Sequence, residues 1–201
     1  MAIDFGAMGS TGIHAVAYNR LRAHLGMNPG RTRMYDLSQQ LAEPEPDILE
    51  RFGADVITLR GLTASYGYRT NRWRNDFLSD GSRCEVPADF HPEKRADGGR
   101  QVVQNGQVIS VMPAGGFWYD QVWHPLALAN SPADLDDFIL NRLSAQDSEW
   151  LGKEAKRLYE ETDKAISTQE KLFVGTKEEC ENLITELGLT IPPEEELESQ
   201  E

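Results

Sequence analysis

The sequence predicts an α/β protein that begins in the manner of a (β/α) enzyme. Short apolar stretches alternate with helical patterns over residues 3–56, in the order strand, Gly-rich loop, helix, strand, helix, strand. Polar residues follow the predicted strands, which is where (β/α) enzymes carry their chemistry. Between residues 67 and 125 the pattern changes to short β-rich stretches separated by turn signals, which predicts an antiparallel excursion.

The first segment, residues 1–66, is expected to hold the first βα units. An apolar spacing of three and four predicts its helices, and short apolar or β-branched stretches predict its strands. Ser10 or Thr11 is the predicted cap of the first helix, and Gly53 is predicted to end the second. In chain order we predict a strand over 2–5, a loop over 6–12, a helix over 13–25, a strand over 33–37, a helix over 46–52 and a strand over 55–59.

The second segment, residues 67–125, is expected to form a β-hairpin insertion. The dipeptides Asp80–Gly81 and Asn105–Gly106 each separate two β-rich stretches. Both dipeptides are strong signals for two-residue hairpin turns, because these residues tolerate positive φ angles. An aromatic strand or loop is predicted to follow the second hairpin and to end at Pro125.

The remaining chain divides into a helical or βα segment over 126–188 and an acidic tail over 189–201. Ser131 is the predicted start of one helix, and Asp147 or Ser148 the start of a longer helix that reaches about Asp163. A brief strand over 172–174 and a capped helix over 177–187 are predicted to follow, and Cys180 is predicted to be a small apolar residue of that helix.

Composition excludes several classes of function. The chain has 201 residues and a net charge of −13, which argues against nucleic-acid binding because that affinity rests on Lys and Arg. No apolar stretch approaches the ~20 residues of a membrane span, and the first residues lack the features of a signal peptide. The two cysteines, Cys84 and Cys180, form no disulfide framework, so we expect a cytoplasmic protein.

Several stretches of the chain, taken together, resemble the uroporphyrinogen decarboxylase superfamily, in particular its branch of corrinoid-dependent methyltransferases. The resemblance covers about residues 2–166. It is carried by residues 3–6 (IDFG), 9–14 (GSTGIH), 18–21 (YNRL), 35–42 (YDLSQQLA), 49–56 (LERFGADV), 112–117 (MPAGGF), 124–126 (HPL) and 155–163 (AKRLYEETD).

The resemblance implies a (β/α)8 TIM-type barrel with the β-hairpin layer inserted early and with the site at the barrel's mouth. Such a barrel takes ~250 residues or more, so this chain is expected to form only a partial barrel, the N-terminal portion of a family member. An open barrel would expose strand edges, which a partner chain, self-association or its own tail helix would have to cover.

The implied activities are decarboxylation of a tetrapyrrole and methyl transfer from a corrinoid. The sequence departs from both patterns. The loop over 6–12 lacks the Arg-rich motif of the decarboxylases, and no His-x-Cys pair supplies the zinc ligands of the thiol-directed methyltransferases. Neither activity is therefore transferred residue by residue, and no metal site is predicted.

Four residues are the predicted catalytic candidates: Asp4, His14, Asp36 and Gln39. Asp4 could act as a general acid or orient a substrate, or its carboxylate could accept hydrogen bonds from loop amides. His14 could polarise a substrate from the helix N-terminus, or cap that helix. Asp36 and Gln39, with the neighbouring Gln40, could face the mouth or belong to a solvated loop. The loop over 6–12 could bind an anion or serve as a tight turn.

The aromatic stretch near the end of the hairpin layer is the predicted cofactor-binding surface. The predicted residues are Trp118, Tyr119 and His124, together with Trp123. Their rings could stack against the flat face of a tetrapyrrole or corrinoid, or they could form the core of the hairpin layer. Cys84 and His91 lack the further ligands that a zinc site requires.

Three hypotheses of function follow from these observations. The chain could be part of an enzyme that acts on a tetrapyrrole or on a corrinoid-borne methyl group. It could instead be a non-catalytic subunit or remnant that needs a partner chain. A weaker third hypothesis makes the hairpin layer a free-standing module that binds a small aromatic ligand.

Overall fold

The computed structural model describes residues 2–124, 127, 130 and 144–168. Within these residues it contains three α-helices, which are α1 (Ala15–His24), α2 (Pro46–Phe52) and α3 (Ala145–Glu161). The strands are β1 (Ile13–His14), β2 (Met34–Asp36), β3 (Leu41–Ala42), β4 (Val56–Leu59), β5 (Trp73–Phe77), β6 (Arg83–Pro87), β7 (Glu93–Lys94), β8 (Arg100–Gln104), β9 (Gln107–Met112), β10 (Asp120–Gln121) and β11 (Ala165–Thr168). None of the described helices is long and apolar enough to cross a membrane.

The strands form small sheets, most of which are antiparallel. One sheet has the order β1–β3–β2, a second has the order β10–β9–β8–β7, and β5 pairs with β6. The parallel pairing of named strands in the described part joins β4 to β11, with Val56 opposite Ala165. Helix α3 directly precedes β11 and lies against this parallel pair.

The predicted partial (β/α)8 barrel is wrong. In the described residues the strands do not close into a barrel, and antiparallel pairs outnumber the parallel pair. The physical reason lies in the connections. The residues between β2 and β3 are too few for a helical crossover, so these strands pair antiparallel, with Met34 opposite Ala42. The stretch predicted as a first strand, residues 2–5, forms no strand, and Gly6 turns the chain with φ 74°.

Both predicted hairpins are present, and the two-residue turn is confirmed at Asn105–Gly106; the turn at Asp80–Gly81 is longer than predicted, because the Leu78 N–H donates to the Ser82 carbonyl oxygen at 2.9 Å. Strands β5 and β6 pair antiparallel on either side of Asp80–Gly81, with Phe77 opposite Arg83. Strands β8 and β9 pair antiparallel on either side of Asn105–Gly106, with Gln104 opposite Gln107. Together with β7 and β10 they give the middle of the chain its antiparallel character.

Helix α2 is confirmed as predicted. Pro46 lies in its first turn, and Gly53 follows it in a left-handed conformation with φ 60°. The Gly53 N–H donates to the carbonyl oxygen of Glu50 at 3.1 Å, which closes the helix C-terminus. The predicted strand after it is also present, as β4.

The starts of α1 and α3 differ from the predictions. Helix α1 begins at Ala15 rather than residue 13, because Ile13 and His14 pair with β3 instead. Its cap is therefore His14 and not Ser10 or Thr11. Helix α3 begins at Ala145, where Ser144 and Asp147 form a reciprocal capping box. The helices predicted from Ser131 and over 177–187, the strand over 172–174, Cys180 and the acidic tail lie outside the described residues.

The core joins the N-terminal helices to the hairpin sheets. Its fully or largely buried members come from α1, β2, α2, β6, β8 and the loops between them, and include Ala15, Val16, Tyr18, Met34, Leu37, Ile48, Val86, Phe90 and Val102. Burial of these side chains ties the hairpin layer to α1 and α2.

Candidate functional site

Asp4 lies just before the loop over 6–12, and its carboxylate holds that loop closed. Its carboxylate accepts hydrogen bonds from the Ala7 N–H at 2.8 Å and from the Thr11 hydroxyl at 2.8 Å. The Met8 N–H donates to the Thr11 hydroxyl at 3.2 Å, and the Gly12 N–H donates to the Gly9 carbonyl at 3.3 Å. Several loop amides thus have internal acceptors, which favours the tight-turn alternative over an anion site.

His14 caps α1 and also binds a distant loop. Its Nδ1 accepts a hydrogen bond from the Val16 N–H at 3.2 Å, so the proton of the neutral ring lies on Nε2. Nε2 then donates to the carbonyl oxygen of Phe117 at 2.8 Å. Gln40 Nε2 donates to the same oxygen at 2.7 Å. His14 and Gln40 therefore hold one loop in place, with both polar ends of the imidazole used.

Asp36 and Gln39 form a turn. The Asp36 carboxylate accepts hydrogen bonds from the Gln39 N–H at 2.9 Å and from the Ser65 hydroxyl at 3.1 Å. An aspartate that accepts from its own backbone a few residues on is typical of a structural turn. The four predicted catalytic residues thus bond to three different sets of partners: Asp4 within its loop, His14 at Phe117, and Asp36 with Gln39 and Ser65.

The predicted cofactor-binding residues are divided between the core and the surface of the protein. Tyr119 is buried against the ring of Phe90, and its burial raises the pKa of its phenol to about 12. Trp118 and His124 are exposed, and the Trp118 indole donates to the Asp120 carboxylate at 3.2 Å. Trp118, Tyr119 and His124 therefore do not present one shared face to a ligand.

The described residues contain no group of three or more His, Cys, Asp or Glu side chains that could hold a metal ion. Cys84 lies in the core, and burial raises the pKa of its thiol to about 12. Its predicted neighbour His91 is exposed. Burial of this kind is typical of a structural cysteine.

A cavity of about 820 Å³ lies beside β4, bordered by α2, α3 and residues 5–7. This volume is in the range of ~300–1,000 Å³ that is typical of small-molecule sites. Its walls carry both apolar and charged side chains. The cations are Arg31, Arg33, Arg60, Arg157 and Lys164, and the carboxylates are Glu43, Glu45, Glu50, Glu154 and Glu161.

Most of these cations already have acceptors. Arg33 pairs with Glu85 at 2.7 Å, and Arg157 pairs with Glu154 at 2.6 Å. Lys164 Nζ donates to the carbonyl oxygen of Ala54. These pairs neutralise much of the wall, so the cavity differs from an open cluster of positive charge.

Arg60 differs from the other cations of the cavity. Its guanidinium lies over the ring of Tyr35, 3.8 Å from the ring centroid, and its Nε is 3.3 Å from Glu43 Oε1. Its Nη1 is buried and has no hydrogen-bond partner among the described residues. The side chain is 18 % exposed, and burial lowers its pKa against the opposing effects of Glu43 and Tyr35.

Burial of a guanidinium nitrogen without an acceptor costs free energy. A ligand oxygen at Nη1 would remove that cost, and the planar fork of arginine suits a carboxylate or another oxyanion. The backbone of Arg60 is also held, because the Trp150 indole of α3 donates to its carbonyl oxygen at 3.3 Å. Arg60 thus lines a ligand-sized cavity and has a fixed backbone, but its Nη1 is buried beneath the wall, so a ligand oxygen reaches Nη1 only when a neighbouring side chain moves.

Our interpretation of the sequence did not include this site. The residues predicted from the sequence carry carboxylate, amide, imidazole or aromatic side chains, and Arg60 is not among them. One signal was present, because Arg60 directly follows β4 and so occupies a strand end. Its lack of a partner is a property of the packing, which no local sequence pattern shows.

Comparisons with family models, with curated proteins and with solved structures gave no match to this chain. The fold and the cavity define the described part of the chain as a mixed α and β structure with a ligand-sized, charged cavity.

Proposed function

We propose that this chain binds a carboxylate-bearing tetrapyrrole of the uroporphyrinogen class in the cavity beside β4, as its resemblance to the uroporphyrinogen decarboxylase superfamily implies. The observation that carries the proposal is Arg60 Nη1, a buried cationic donor without an acceptor in the described part of the chain. A peripheral carboxylate of such a ligand would supply that acceptor, and hydrogen bonds between ionised partners are the strong ones.

The volume and composition of the cavity support a ligand that has both apolar surface and carboxylates. Phe5, Leu49 and Val56 contribute apolar surface, and Arg60 lies at the same wall. A tetrapyrrole with carboxylate arms has this combination. Decarboxylation of the bound ligand is a separate expectation from the resemblance, and it is measured as release of CO2.

The alternative activity, methyl transfer from a corrinoid, has less support. None of the described residues that line the cavity is a histidine or a cysteine, so no side chain there offers an imidazole to cobalt or a thiolate to zinc. The described residues also lack a cluster that could hold the zinc of the thiol-directed enzymes. We therefore propose the carboxylated tetrapyrrole as the ligand and use the corrinoid as the contrasting probe.

The test is an absorbance titration with uroporphyrin, the stable oxidised form of the ligand, and in parallel with hydroxocobalamin. We expect saturable binding of uroporphyrin and weaker or no binding of the cobalamin, whose peripheral arms are carboxamides. Arg60→Gln should weaken uroporphyrin binding by roughly tenfold or more, since losing a hydrogen bond between charged partners costs about 1.5–3 kcal/mol.

Arg51→Gln is the matched control. It makes the same change in charge on the exposed surface of α2, and Arg51 is not among the residues that line the cavity. Its binding should equal that of the unmodified chain. Equal affinities for the two variants would contradict the assignment of Arg60, and no spectral change at high micromolar uroporphyrin would contradict the proposal as a whole.

A second candidate function is that of a subunit held by a partner chain. It is favoured by a run of exposed apolar side chains close together in sequence, at Phe117, Trp118, Val122 and Trp123. Exposed apolar surface of this kind is a common feature of interaction sites. Size-exclusion chromatography with light scattering distinguishes the two, because a stable monomer that binds uroporphyrin needs no partner.

A further inference from the structure

Glu43 is the carboxylate that faces the guanidinium of Arg60. It follows β3, and its Oε1 lies 3.3 Å from Arg60 Nε. Its side chain is 37 % exposed, and Arg60 is its ion-pair partner in the described part of the chain. The backbone of Glu43 is held separately, because its N–H donates to the Arg33 carbonyl oxygen at 2.7 Å. The side chain can therefore move without disturbing the backbone contact.

The neighbouring Glu45 lines the same cavity, and its carboxylate has a structural role. Its Oε2 lies 3.4 Å from Arg22 Nη1 and accepts from the Tyr18 hydroxyl, while its Oε1 accepts from the Arg31 N–H at 3.1 Å. Glu45 is thus held by three residues, whereas Glu43 has one ion pair and greater exposure. This contrast singles out Glu43 as the carboxylate that an incoming anion could displace.

The groups that face Arg60 come from three elements. Tyr35 of β2 lies under the guanidinium, Glu43 approaches from the turn after β3, and Trp150 of α3 binds only the backbone carbonyl. The negative charge next to Arg60 in the free protein therefore belongs to Glu43. A second carboxylate brought to Nη1 would lie close to that charge and would be repelled by it.

We propose that Glu43 is an internal competitor for Arg60: its carboxylate pairs with Nε of the guanidinium in the free protein and opposes the binding of an anionic ligand to the same group. The identity of the natural ligand rests on the proposed function above, while the competition rests on the contact itself. An anion must then either displace Glu43 or bind beside it, and both routes lower its affinity. The cavity therefore favours ligands whose further carboxylates or apolar contacts offset the repulsion from the Glu43 carboxylate.

The experiment compares two substitutions that remove the same charge from the same cavity. Glu43→Gln removes the carboxylate beside Arg60. Glu50→Gln removes a carboxylate that lines the cavity but forms no ion pair in the described part of the chain. Both variants keep the size of the side chain, and circular dichroism verifies that they fold. Glu43→Ala is a third variant, which removes any hydrogen bond that glutamine could retain to Arg60.

The probes are uroporphyrin, followed by absorbance, and mellitate, an aromatic polycarboxylate, followed by calorimetry at low ionic strength. We expect Glu43→Gln and Glu43→Ala to bind mellitate roughly tenfold more tightly than the unmodified chain, since a charge pair at this distance is only partly screened. Glu50→Gln should differ from the unmodified chain by less than about threefold, because its carboxylate is exposed.

The outcomes separate this inference from the proposed function. Equal gains for Glu43→Gln and Glu50→Gln would show a general charge effect and would overturn the competition. If neither Glu43 variant bound mellitate, that result would also overturn the competition. Uroporphyrin binding that is the same in the unmodified chain and in Glu43→Gln would overturn the competition and leave the proposed function intact. Tighter mellitate binding without any uroporphyrin binding would support the competition and overturn the proposed function.

Discussion

The imidazole Nε2 of His14 lies 2.8 Å from the carbonyl oxygen of Phe117, although 103 residues separate them along the chain. The Phe117 ring also meets the imidazole edge to face, with 5.5 Å between the ring centroids. Because Nδ1 of the same imidazole caps α1, His14 couples the start of that helix to the loop that leads into β10. This contact fixes the hairpin layer against the N-terminal part of the chain.

We expect His14→Ala to destabilise the protein by about 1–3 kcal/mol. The substitution removes a helix cap, worth about 0.5–2 kcal/mol, and one hydrogen bond to a carbonyl oxygen, worth about 1 kcal/mol. Urea unfolding followed by circular dichroism measures the change. His24→Ala, in the exposed last turn of α1, is the control and should change the free energy of unfolding by less than about 0.5 kcal/mol. Equal losses for the two variants would rule out the coupling.

Asp47 gives a prediction about pH. The hydrogen bonds from Arg22 hold the pKa of its carboxyl below the ordinary value, so the folded-state pKa is lower than that of the unfolded chain. The stabilisation is therefore fully present above about pH 4 and is lost as the pH falls through the folded-state value. Since the carboxylate is half exposed, the contribution is at most about 1 kcal/mol.

The measurement compares the unmodified chain with Asp47→Asn by urea unfolding from pH 7 down to pH 3. The difference in unfolding free energy should be largest near neutral pH and should shrink towards zero at the acid end. Asp89→Asn removes one member of an ion pair in which both side chains are exposed, and it should cost little at any of these pH values. A difference for Asp47→Asn that stays constant with pH would contradict the role of ionisation.

Gly106 gives a test of the second hairpin. Asn105 and Gly106 have φ angles of 51° and 77°, as expected for the central residues of a two-residue hairpin turn. An alanine Cβ at Gly106 would meet no atom within 4 Å, so any cost of Gly106→Ala arises from the backbone conformation alone. We expect a loss of about 1–2 kcal/mol in chemical unfolding.

The control for that substitution is Gly61→Ala. Gly61 also has no atom near the position of a Cβ, but its φ is not in the left-handed region. It should therefore be neutral or slightly stabilising, by up to about 1 kcal/mol, because alanine reduces the entropy of the unfolded chain. A cost at Gly61 that equals the cost at Gly106 would show that the left-handed conformation is not the cause.

Local features of this fold could be predicted from the sequence where a single residue type determines the geometry. Pro46 and Gly53 fix the ends of α2, and the two Gly-containing dipeptides fix the hairpin turns. The arrangement of the strands could not be predicted in the same way. Strand β4 pairs with β11, more than a hundred residues later, while β2 pairs with its immediate neighbour β3. Periodicity identifies a strand, but it does not identify the partner of that strand.

The candidate site was harder to predict for a related reason. Asp4, His14 and Asp36 have the side chains of catalytic groups, and in the structure they form hydrogen bonds with backbone amides, a backbone carbonyl and the hydroxyl groups of Thr11 and Ser65. Arg60 has an ordinary sequence context, and its distinguishing property is an absent acceptor. Such a property depends on how Tyr35, Glu43 and α3 meet around it, which long-range packing determines.

Cys84 is expected to be unreactive in the folded protein. Burial raises the pKa of its thiol to about 12, and the thiolate is the reactive species. The experiment uses a Cys180→Ser variant labelled with iodoacetamide at pH 8. In the time that gives complete labelling in urea, under ~10 % of Cys84 should be modified in the folded protein, because alkylation requires the core to open. Mass spectrometry measures the modified fraction. Rapid labelling without denaturant would contradict the burial of Cys84 in the folded protein.

The last prediction compares two buried arginines and tests whether Arg60 is retained for binding. Arg22 is 4 % exposed, and its guanidinium donates to the Asn28 carbonyl at 2.9 Å and to the Asp47 carboxylate at 2.6 Å. Arg60 is also largely buried, yet its Nη1 has no acceptor among the described residues. Arg22→Met should cost about 1–3 kcal/mol, because it removes the hydrogen bonds to Asn28 and Asp47 and the positive charge next to Glu45, which is only 18 % exposed. Arg60→Met should change the free energy of unfolding by less than about 1 kcal/mol or increase it, because it removes the cost of the buried Nη1, and the Glu43 carboxylate that it leaves unpaired is 37 % exposed to solvent.

Urea unfolding of the two variants, without ligand, measures this difference. If Arg60→Met is as stable as the unmodified chain but does not bind uroporphyrin, Arg60 contributes to ligand recognition and not to folding stability. A loss at Arg60 as large as that at Arg22 would show instead that the guanidinium is part of the structural framework. Any stability that Arg60→Met does lose should come from the missing cation–π contact with Tyr35, because such contacts are worth about 0.5–2 kcal/mol. Tyr35→Leu in the same assay removes that contact together with a buried ring and the hydrogen bond from its hydroxyl to the Met8 carbonyl oxygen, so its cost should exceed any cost of Arg60→Met.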